Sequence, residues 1–243
     1  WASGHLGNAV NLNSSGDNYV SLPAGIVNGL TRCSISAWVN LKANATWARV
    51  FDFGTGNTNY MYLSPVGNVG GGNIIRFAIT TTGGAGEQKM DYSGALSTGV
   101  WHQVAVTLGA GTGILYVDGA PVATNSAMTL APADLGLTTR DWIGRSQYPT
   151  DPYLNGAVDD FKIYSGVLSP ADVASLVTPL TAPTGFMATR GDGQVALAWN
   201  AVPDADGYNL KRATNDGGSY TMVGSNLKVL NFTDTGVANG TRY

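Results

Sequence analysis

The chain has 243 residues, of which 44% are hydrophobic and only 12% charged, with a formal net charge of −3. No basic stripe accompanies this balance and no apolar run approaches the length of a membrane span, so we expect no nucleic-acid partner and no membrane partner. The single cysteine, Cys33, excludes an internal disulfide, and a zinc site is unsupported because no CxxC pair or His/Cys cluster occurs.

The acidic residues and the first residue bear on the cellular compartment. Of the 16 acidic residues only Glu87 is a glutamate, and the 33 glycines accompany abundant Asn, Thr and Ser. This mixture favours strands and turns over helices and is typical of a secreted or cell-surface β-protein. Because the sequence begins at Trp1 and not at Met, we expect a mature chain or an excised piece of a longer one.

Short alternating or β-branched runs recur from Asn8 to Tyr164, separated by Gly, Asn, Pro or Ser clusters. The runs are NAVNLN, NYVSLP, SISAWVNLK, RVFDFG, YMYLSP, NIIRFAITT, WHQVAVTLG, GILYVDG, APVATN, DWIG and AVDDFKIY. They predict an all-β fold, an antiparallel β-sandwich of the jelly-roll type. Asp118 and Gly119 supply the two-residue turn of a hairpin. The tryptophans interpreted as core residues are Trp38, Trp101, Trp142 and Trp199.

Two of these runs place tyrosines and an arginine on one face. In NYMYLS, alternation puts Met61 and Leu63 on one side of a strand and Tyr60 and Tyr62 on the other. In IIRFAIT, alternation separates Arg76 from the apolar residues of its run. Tyr60, Tyr62 and Arg76 are therefore expected on a face outside the core, where they either bind a ligand or pack as cross-strand surface pairs.

The run ATWARVFDFG carries apolar residues on both faces and predicts a central strand. Its alternation puts Asp52 on one face and Trp47, Arg49, Phe51 and Phe53 on the other, with Trp47 beside a loop and open to exposure. Because a lone buried charge is costly, Arg49 and Asp52 need partners if they are buried. The residues leave open a satisfied ion-pair network and a ligand site.

The loop IGRSQYPTDPYLNGAVDD concentrates residue types that contact ligands. Arg145, Gln147, Tyr148, Asp151 and Tyr153 lie in it, and its two prolines fix the backbone. Flat aromatic rings pack on the C–H faces of sugars, and polar side chains bond the hydroxyls, so the loop predicts a preformed polar-aromatic pocket. The alternative is a rim loop whose Arg and Tyr side chains bond the backbone.

Carboxylates and histidines bear on catalysis. Retaining glycoside hydrolysis needs two carboxyl groups roughly 5–5.5 Å apart, which alternate positions on one strand provide. Glu87 has no acidic residue two positions on, and Asp159 and Asp160 are neighbours that point to opposite faces. His5 and His102 are too few and too scattered for a nucleophilic triad. We therefore expect no catalytic residue in this chain.

The end of the first domain is marked by one helix. SPADVASLV has Ser169 as its N-cap and Pro170 at the first helical position. We place a first domain at residues 1–178, a Pro-rich linker at 179–183, and a second β-domain at 184–243.

The quoted runs, together with SGHLGNAVNL, VWHQVAVTL and IGRSQYPTDPYLNGAVDDFKIYSGVLSPADV, resemble the laminin-G-like, concanavalin A-like jelly roll of secreted bacterial polysaccharide-degrading enzymes. The resemblance covers nearly all of Trp1 to Leu176. It implies a non-catalytic carbohydrate-binding accessory module whose partners are a polysaccharide or oligosaccharide and the neighbouring modules of the same polypeptide. Relatives usually carry a further strand and acidic loop upstream, so we expect the pattern to be cut at this end.

By this resemblance, Asp159 is a candidate ligand of a structural Ca²⁺ held by oxygen atoms, because jelly rolls of this type often carry such an acid near this position. In the alternation Asp159 shares a face with Phe161 and Ile163, and a buried carboxylate needs a partner. A hydrogen-bonded structural role is the favoured interpretation, with calcium the second.

The stretch AP.G..A..GDGQV.LAWNAVPDADGYNLKR resembles a fibronectin type III domain, a smaller immunoglobulin-like β-sandwich, with Trp199 as its core tryptophan and Tyr243 as its corner tyrosine. The resemblance implies a spacer domain whose pattern stops before its last strands. The candidate carbohydrate-binding residues of the whole chain are Trp47, Arg49, Asp52, Tyr60, Tyr62, Arg76, Glu87, Arg145, Gln147, Tyr148 and Tyr153. Two alternatives remain: a structural module that braces a catalytic domain, and an adhesion module that binds a host glycan or protein.

Overall fold

A computed structural model describes residues 1–14, 18–177, 182–202, 205, 207–215 and 218–243. The chain divides into two compact units, Trp1–Val177 and Thr178–Tyr243. Both units consist of antiparallel strands with little helix, which confirms the predicted all-β fold class. The predicted linker falls largely outside the described residues, and the predicted domain limits stay a prediction.

The strands described in the first unit form two antiparallel sheets. They are β1 (Ala2–Ser3), β2 (Asn8–Leu12), β3 (Val20–Ser21), β4 (Cys33–Leu41), β5 (Phe51–Gly54), β6 (Tyr60–Val69), β7 (Gly72–Thr80), β8 (Gln88–Ser93), β9 (Trp101–Gly109), β10 (Thr112–Val117), β11 (Ala120–Asn125), β12 (Arg140–Ile143) and β13 (Gly156–Tyr164). A seven-stranded sheet has the order β1-β2-β13-β4-β9-β10-β11, and a six-stranded sheet has the order β3-β12-β5-β6-β7-β8. Short 3-10 helices lie at Gly84–Gly86 and Pro132–Leu135.

The core lies between the two sheets because each strand sends alternate side chains inward. On β6, Met61 and Leu63 join the core and Tyr60 and Tyr62 point away from it, as predicted. On β7 the same alternation separates Arg76 from the core side chains of its strand. The face of the six-stranded sheet that points away from the core, called the outer face below, therefore carries these polar and aromatic residues.

The predicted hairpin and helix are both confirmed. Asp118 and Gly119 connect β10 to β11 with φ angles of 50° and 76°, the two positive values that a type I′ turn requires. Helix α1 (Pro170–Ser175) begins after Ser169, whose Oγ accepts the Asp172 N–H at 3.2 Å. Val173 of α1 packs against the side of the seven-stranded sheet that faces away from the core.

The second unit contains two small sheets. Its strands are β14 (Met187–Gly191), β15 (Gln194–Ala198), β16 (Tyr208–Arg212), β17 (Thr221–Leu227) and β18 (Asn231–Asp234), in the orders β14-β15-β18 and β16-β17. Trp199 is buried, as predicted, with its ring 6.5 Å from that of Phe186 and 5.5 Å from that of Tyr208. The fibronectin type III assignment stays a prediction. Across the described residues of both units, no helix is long and apolar enough to cross a membrane.

Candidate functional site

A row of neighbouring side chains crosses the outer face. Residues directly opposite one another in antiparallel strands share a face of the sheet. The pairing of β12, β5, β6, β7 and β8 sets five residues side by side: Trp142, Asp52, Tyr62, Ala78 and Lys89. The loop between β12 and β13, residues 144–155, contacts this row, so the sequence-predicted loop and the sequence-predicted face form one surface.

Tyr60 and Tyr62 lie on the outer face but are only 1% and 2% exposed. The Tyr60 hydroxyl donates to Glu87 Oε1 at 2.9 Å and lies 3.2 Å from the Tyr148 hydroxyl. Burial, followed by the hydrogen bond to Tyr148, raises the pKa of Tyr60 far above its usual range. These tyrosines therefore form the floor of the surface, and the half-buried Tyr148 connects that floor to the loop.

Arg76 has a carboxylate on each side of its guanidinium. Nε and Nη2 donate to the two oxygens of Asp91 at 2.6 and 2.7 Å, and Nη1 donates to Glu87 Oε2 at 3.4 Å. Burial works to lower the pKa of Arg76, but its hydrogen bonds and its charge interaction with Asp91 raise it above the usual value. The residues predicted from the sequence did not include Asp91, although it is the direct partner of Arg76 in the pairing of β7 with β8.

Arg49 joins three parts of the structure through its three nitrogens. Nε donates to Asp52 Oδ2 at 3.3 Å, Nη2 to Asp151 Oδ2 at 3.0 Å, and Nη1 to the Trp47 carbonyl at 2.6 Å. Its Cζ lies 3.9 Å from the centroid of the Tyr62 ring. An ion-pair network, one of the two alternatives left open by the sequence, is thus present.

The alternation predicted for ATWARVFDFG is wrong. Strand β5 begins only at Phe51, and Trp47, in the turn before it, has a φ of 68°. Val50 and Phe51, which are neighbours, both join the core, while Arg49 and Asp52 meet on the other side. A period of two holds only along extended backbone, and residues 46–50 form a turn and a bend before β5 begins.

Asp52 is the most deeply buried acid of this network. Its Oδ2 accepts the Gln147 N–H at 3.0 Å in addition to the Arg49 bond, and its Oδ1 has no hydrogen-bond partner among the described residues. Burial raises the pKa of Asp52 to about 7, although Arg49 and the Gln147 N–H both act to lower it. Gln147 is itself buried and donates from Nε2 to the Arg140 carbonyl at 2.7 Å, so it positions the loop.

A second cluster on the same surface surrounds Arg145. Its Cζ lies 4.3 Å from the ring centroid of Trp142, 4.6 Å from that of Tyr19 and 5.8 Å from that of Tyr153. All four side chains are half-buried. Trp142 was predicted as a core residue, and this is wrong because the alternation of β12 sends its neighbour Ile143 inward. Tyr19, which the candidate list omitted, completes the cluster.

The remaining predicted core tryptophans lie on the other sheet. Trp38 is buried, but on the side away from the core, where the His5 ring stacks on it at 3.5 Å. Trp101 is half-buried beside His5, with ring centroids 6.4 Å apart. The prediction that Trp101 belongs to the core is therefore wrong.

The expectation that the histidines are too scattered for a triad-like arrangement is also wrong for His102. Its Nε2 lies 2.7 Å from Ser97 Oγ and its Nδ1 lies 2.8 Å from Asp118 Oδ2. Sequence separation hid this because a loop and a hairpin turn supply the partners. The side chain of Asp118 is 50% exposed and its other oxygen accepts the Gln103 N–H, so the contacts connect a loop to a turn and we assign no reaction to them.

Asp159 does not share a face with Phe161 and Ile163. Asp160 has a φ of 49°, and the pairing of β13 with β4 shifts after Asp159, so this β-bulge turns Asp159 away from the core. Its Oδ2 accepts the Leu6 N–H at 2.9 Å and its Oδ1 accepts the Asp160 N–H at 2.8 Å. Backbone donors thus face both oxygens, as the hydrogen-bonded structural role requires.

Calcium at Asp159 stays a prediction. In the described parts of the chain, no three His, Cys, Asp or Glu side chains gather where they could hold a metal ion. The donors around Asp159 are N–H groups, whereas Ca²⁺ takes oxygen ligands. The described surroundings therefore do not fit the ion.

Comparisons with known proteins agree with this architecture. Residues 14–174 match the family described as the concanavalin A-like lectin/glucanases superfamily. Among curated proteins, segments of 79 and 86 residues are 38% and 36% identical to amylopullulanases of Thermoanaerobacterium saccharolyticum and Thermoanaerobacterium thermosulfurigenes. Those segments cover 32% and 35% of this chain but only 6% and 5% of the relatives.

Two similar solved structures are carbohydrate complexes. Domain 4 of AbnA, an extracellular GH43 arabinanase of Geobacillus stearothermophilus bound to arabinotriose, has a TM-score of 0.59 at 24% identity, over 73% of this chain and 80% of that domain. The CBM40 of the Ruminococcus gnavus IT-sialidase bound to α2,3-sialyllactose has a TM-score of 0.53 at 14% identity, over 66% of this chain and 96% of that one. At these identities the likeness shows the fold alone. With two sheets in this arrangement and a family match over most of its first unit, the chain belongs to the concanavalin A-like lectin/glucanases superfamily.

Proposed function

We propose that the first unit is a non-catalytic module that binds an oligosaccharide or polysaccharide on its outer face. The observation that carries the proposal is the gathering there of half-buried aromatic side chains beside fixed polar groups. The aromatic members are Tyr19, Trp47, Trp142, Tyr148 and Tyr153. Partly exposed rings supply flat apolar area for the C–H faces of sugars, and the ordered carboxylates beside them accept hydrogen bonds from hydroxyls.

The proposal divides the sequence-predicted residues into two groups. Trp47, Tyr148, Arg145 and Tyr153 are accessible enough to contact a ligand. The second group holds the first in place through its hydrogen bonds and ring contacts, and consists of the buried Arg49, Asp52, Tyr60, Tyr62, Arg76 and Gln147 together with Glu87, whose side chain is 9% exposed. A preformed surface of this kind loses little conformational entropy when it binds.

A binding role suits this network better than catalysis does. Each carboxylate at the centre of the outer face already faces a guanidinium or a hydroxyl, as Asp91 and Glu87 do around Arg76. A general acid or nucleophile in glycoside cleavage must be free to exchange a proton or to attack the sugar. We infer further that the module belongs to a larger secreted glycan-degrading enzyme, with plant cell-wall glycans as the first ligand class to test.

The test is isothermal titration calorimetry of the 243-residue chain against arabinan, pullulan and xylan oligosaccharides. We expect at least one of them to bind, and Trp47→Ala and Trp142→Ala to weaken that binding about tenfold or more, since a sugar-stacking ring is a dominant contact. Tyr220→Ala is the control because Tyr220 is a 62% exposed aromatic residue of the second unit.

If the glycan still binds after both tryptophan substitutions, the binding site lies elsewhere on the protein. Failure of every glycan to bind would instead favour the bracing role, in which the same aromatic surface contacts a neighbouring domain. Unfolding in urea should accompany each titration, so that a variant that does not fold is not mistaken for one that does not bind.

A further inference from the structure

The guanidinium of Arg76 is already occupied in the way that a ligand carboxylate would occupy it. Asp91 accepts from Nε and Nη2 at 2.6 and 2.7 Å, one bond to each of its oxygens. This side-on, two-bond geometry is the one by which arginine recognises free carboxylates. The third nitrogen, Nη1, is directed to Glu87.

The guanidinium of Arg49 is also engaged by the protein. Each of its nitrogens has a protein acceptor, namely Asp52, the Trp47 carbonyl or Asp151. The two arginines nearest to the Trp47 ring, with Cζ atoms 5.9 and 5.4 Å from its centroid, therefore offer no vacant fork to an anionic ligand.

The charges around Trp47 also disfavour an anionic ligand. The two guanidiniums face four carboxyl groups: Asp52, Asp151, Glu87 and Asp91. Lys89 and Arg140 lie on the same face and Arg145 in the adjoining loop, so the face as a whole is not negative. The discrimination is therefore local, by occupied arginines and nearby carboxylates, and not the work of a long-range field.

We infer, on the basis of the proposed function, that the sugar ring bound at Trp47 is uncharged and that Asp91 determines this specificity. The side chains of Asp91 and Asp151 are 32% and 19% exposed, so their oxygens can still accept hydrogen bonds from sugar hydroxyls. A uronic or sialic acid carboxylate at the same place meets like charge and has no arginine fork to bind.

The experiment titrates the 243-residue chain with neutral and acidic oligosaccharides under identical conditions. The neutral probes are arabinotriose and maltotriose, and the acidic probes are 3′-sialyllactose and trigalacturonate. We expect a neutral glycan to bind at least about tenfold more tightly than either acidic glycan. A like-charge contact of this kind costs more free energy than a tenfold difference in affinity represents.

A substitution then tests the role assigned to Asp91. Asp91→Ala vacates the fork of Arg76, and we expect the affinity for an acidic probe to rise about tenfold or more while neutral binding falls. Asp91→Asn, which keeps the shape but not the charge, should give a smaller gain. Asp192→Ala removes the same charge from the second unit and should change neither affinity. Urea unfolding confirms that each variant is folded.

The outcomes separate the inference from the proposed function. If an acidic probe binds the unaltered chain as tightly as the neutral ones and Trp47→Ala abolishes that binding, the glycan site stands and the neutral specificity is overturned. If neutral preference holds but Asp91→Ala brings no gain, the role of Asp91 is overturned. If neither class binds, the proposed function fails and the inference with it.

Discussion

The guanidinium of Arg49 lies against the ring of Tyr62, with its Cζ 3.9 Å from the ring centroid. The same group bonds Asp52 on β5 and Asp151 in loop 144–155. One buried cation thus connects a turn, a strand and the loop on which the proposed binding surface depends. The shape of that surface should consequently be sensitive to this residue even where a ligand does not touch it.

We expect Arg49→Met to lower the free energy of unfolding by about 3–5 kcal/mol, because it leaves the buried Asp52 without its cation. Urea denaturation followed by tryptophan fluorescence measures the change. Arg49→Met combined with Asp52→Asn should recover part of the lost free energy of unfolding, since the second substitution removes the unpaired buried charge. Arg32→Met replaces an exposed arginine and should change stability by less than about 0.5 kcal/mol. A similar loss in Arg32→Met would argue against the network.

Regular strands could be predicted from the sequence, and breaks in regular strands could not. Tyr60, Tyr62 and Arg76 were assigned to the correct face because β6 and β7 are extended along these residues. The errors in ATWARVFDFG and at Asp159 arise where the backbone is not extended: in the turn and bend of residues 46–50 before β5, and at Asp160, whose φ is 49°. Trp47 carries no local sign of a positive φ, whereas Asp160 belongs to a residue type enriched there but stands in a run that otherwise alternates like a strand.

Side-chain partners from distant parts of the chain were likewise hidden. Asp91 pairs with Arg76 because β8 follows β7 at a particular register, and Tyr19 reaches Arg145 only through the position of the segment before β3. Residue types in the loop 144–155 identified it as a candidate site, but only the register of β12 shows that Trp142 belongs to the same surface. Period and composition define faces, whereas register decides which residues meet across them.

The pH dependence of stability should carry a contribution from Asp52. Its pKa is raised from 3.8 to about 7, so between these values the folded chain holds a proton that the unfolded chain has released. The free energy of unfolding contributed by Asp52 therefore falls as the pH rises from about 4 to about 7 and is level above that. Asp52→Asn, uncharged throughout, should gain stability relative to the unaltered chain across this interval.

Urea midpoints of both proteins at intervals of pH measure that difference. Asp172→Asn provides a contrast of opposite sign, because hydrogen bonds from Ser169 lower the pKa of Asp172. The ionised Asp172 carboxylate stabilises the folded chain at neutral pH, and this stabilisation is lost as the pH falls through the pKa that Asp172 has in the folded chain. A flat difference curve for Asp52→Asn would mean that Arg49 keeps the carboxylate ionised.

Removal of metal distinguishes the two interpretations of Asp159. If its two backbone hydrogen bonds account for its role, dialysis against EDTA should leave the melting temperature unchanged, and added Ca²⁺ should not raise it. Asp159→Ala should destabilise the chain by about 1–3 kcal/mol with or without the ion, since the Leu6 and Asp160 N–H groups lose their acceptor. A calcium-dependent rise in melting temperature that Asp159→Ala abolishes would support the metal site.

The turn between β10 and β11 should tolerate substitution less than the turn before it. Gly119 and Gly111 have nearly equal φ angles, 76° and 77°, so alanine meets the same backbone strain at both, about 1 kcal/mol. A Cβ at Gly119 would lie 2.8 Å from Cγ2 of Val177, whereas a Cβ at Gly111 would have no described atom within 4 Å beyond its two chain neighbours. Gly119→Ala should therefore lose about 1 kcal/mol more than Gly111→Ala in urea unfolding, because overpacking adds to the strain. Equal losses would mean that the segment after α1 moves aside without cost.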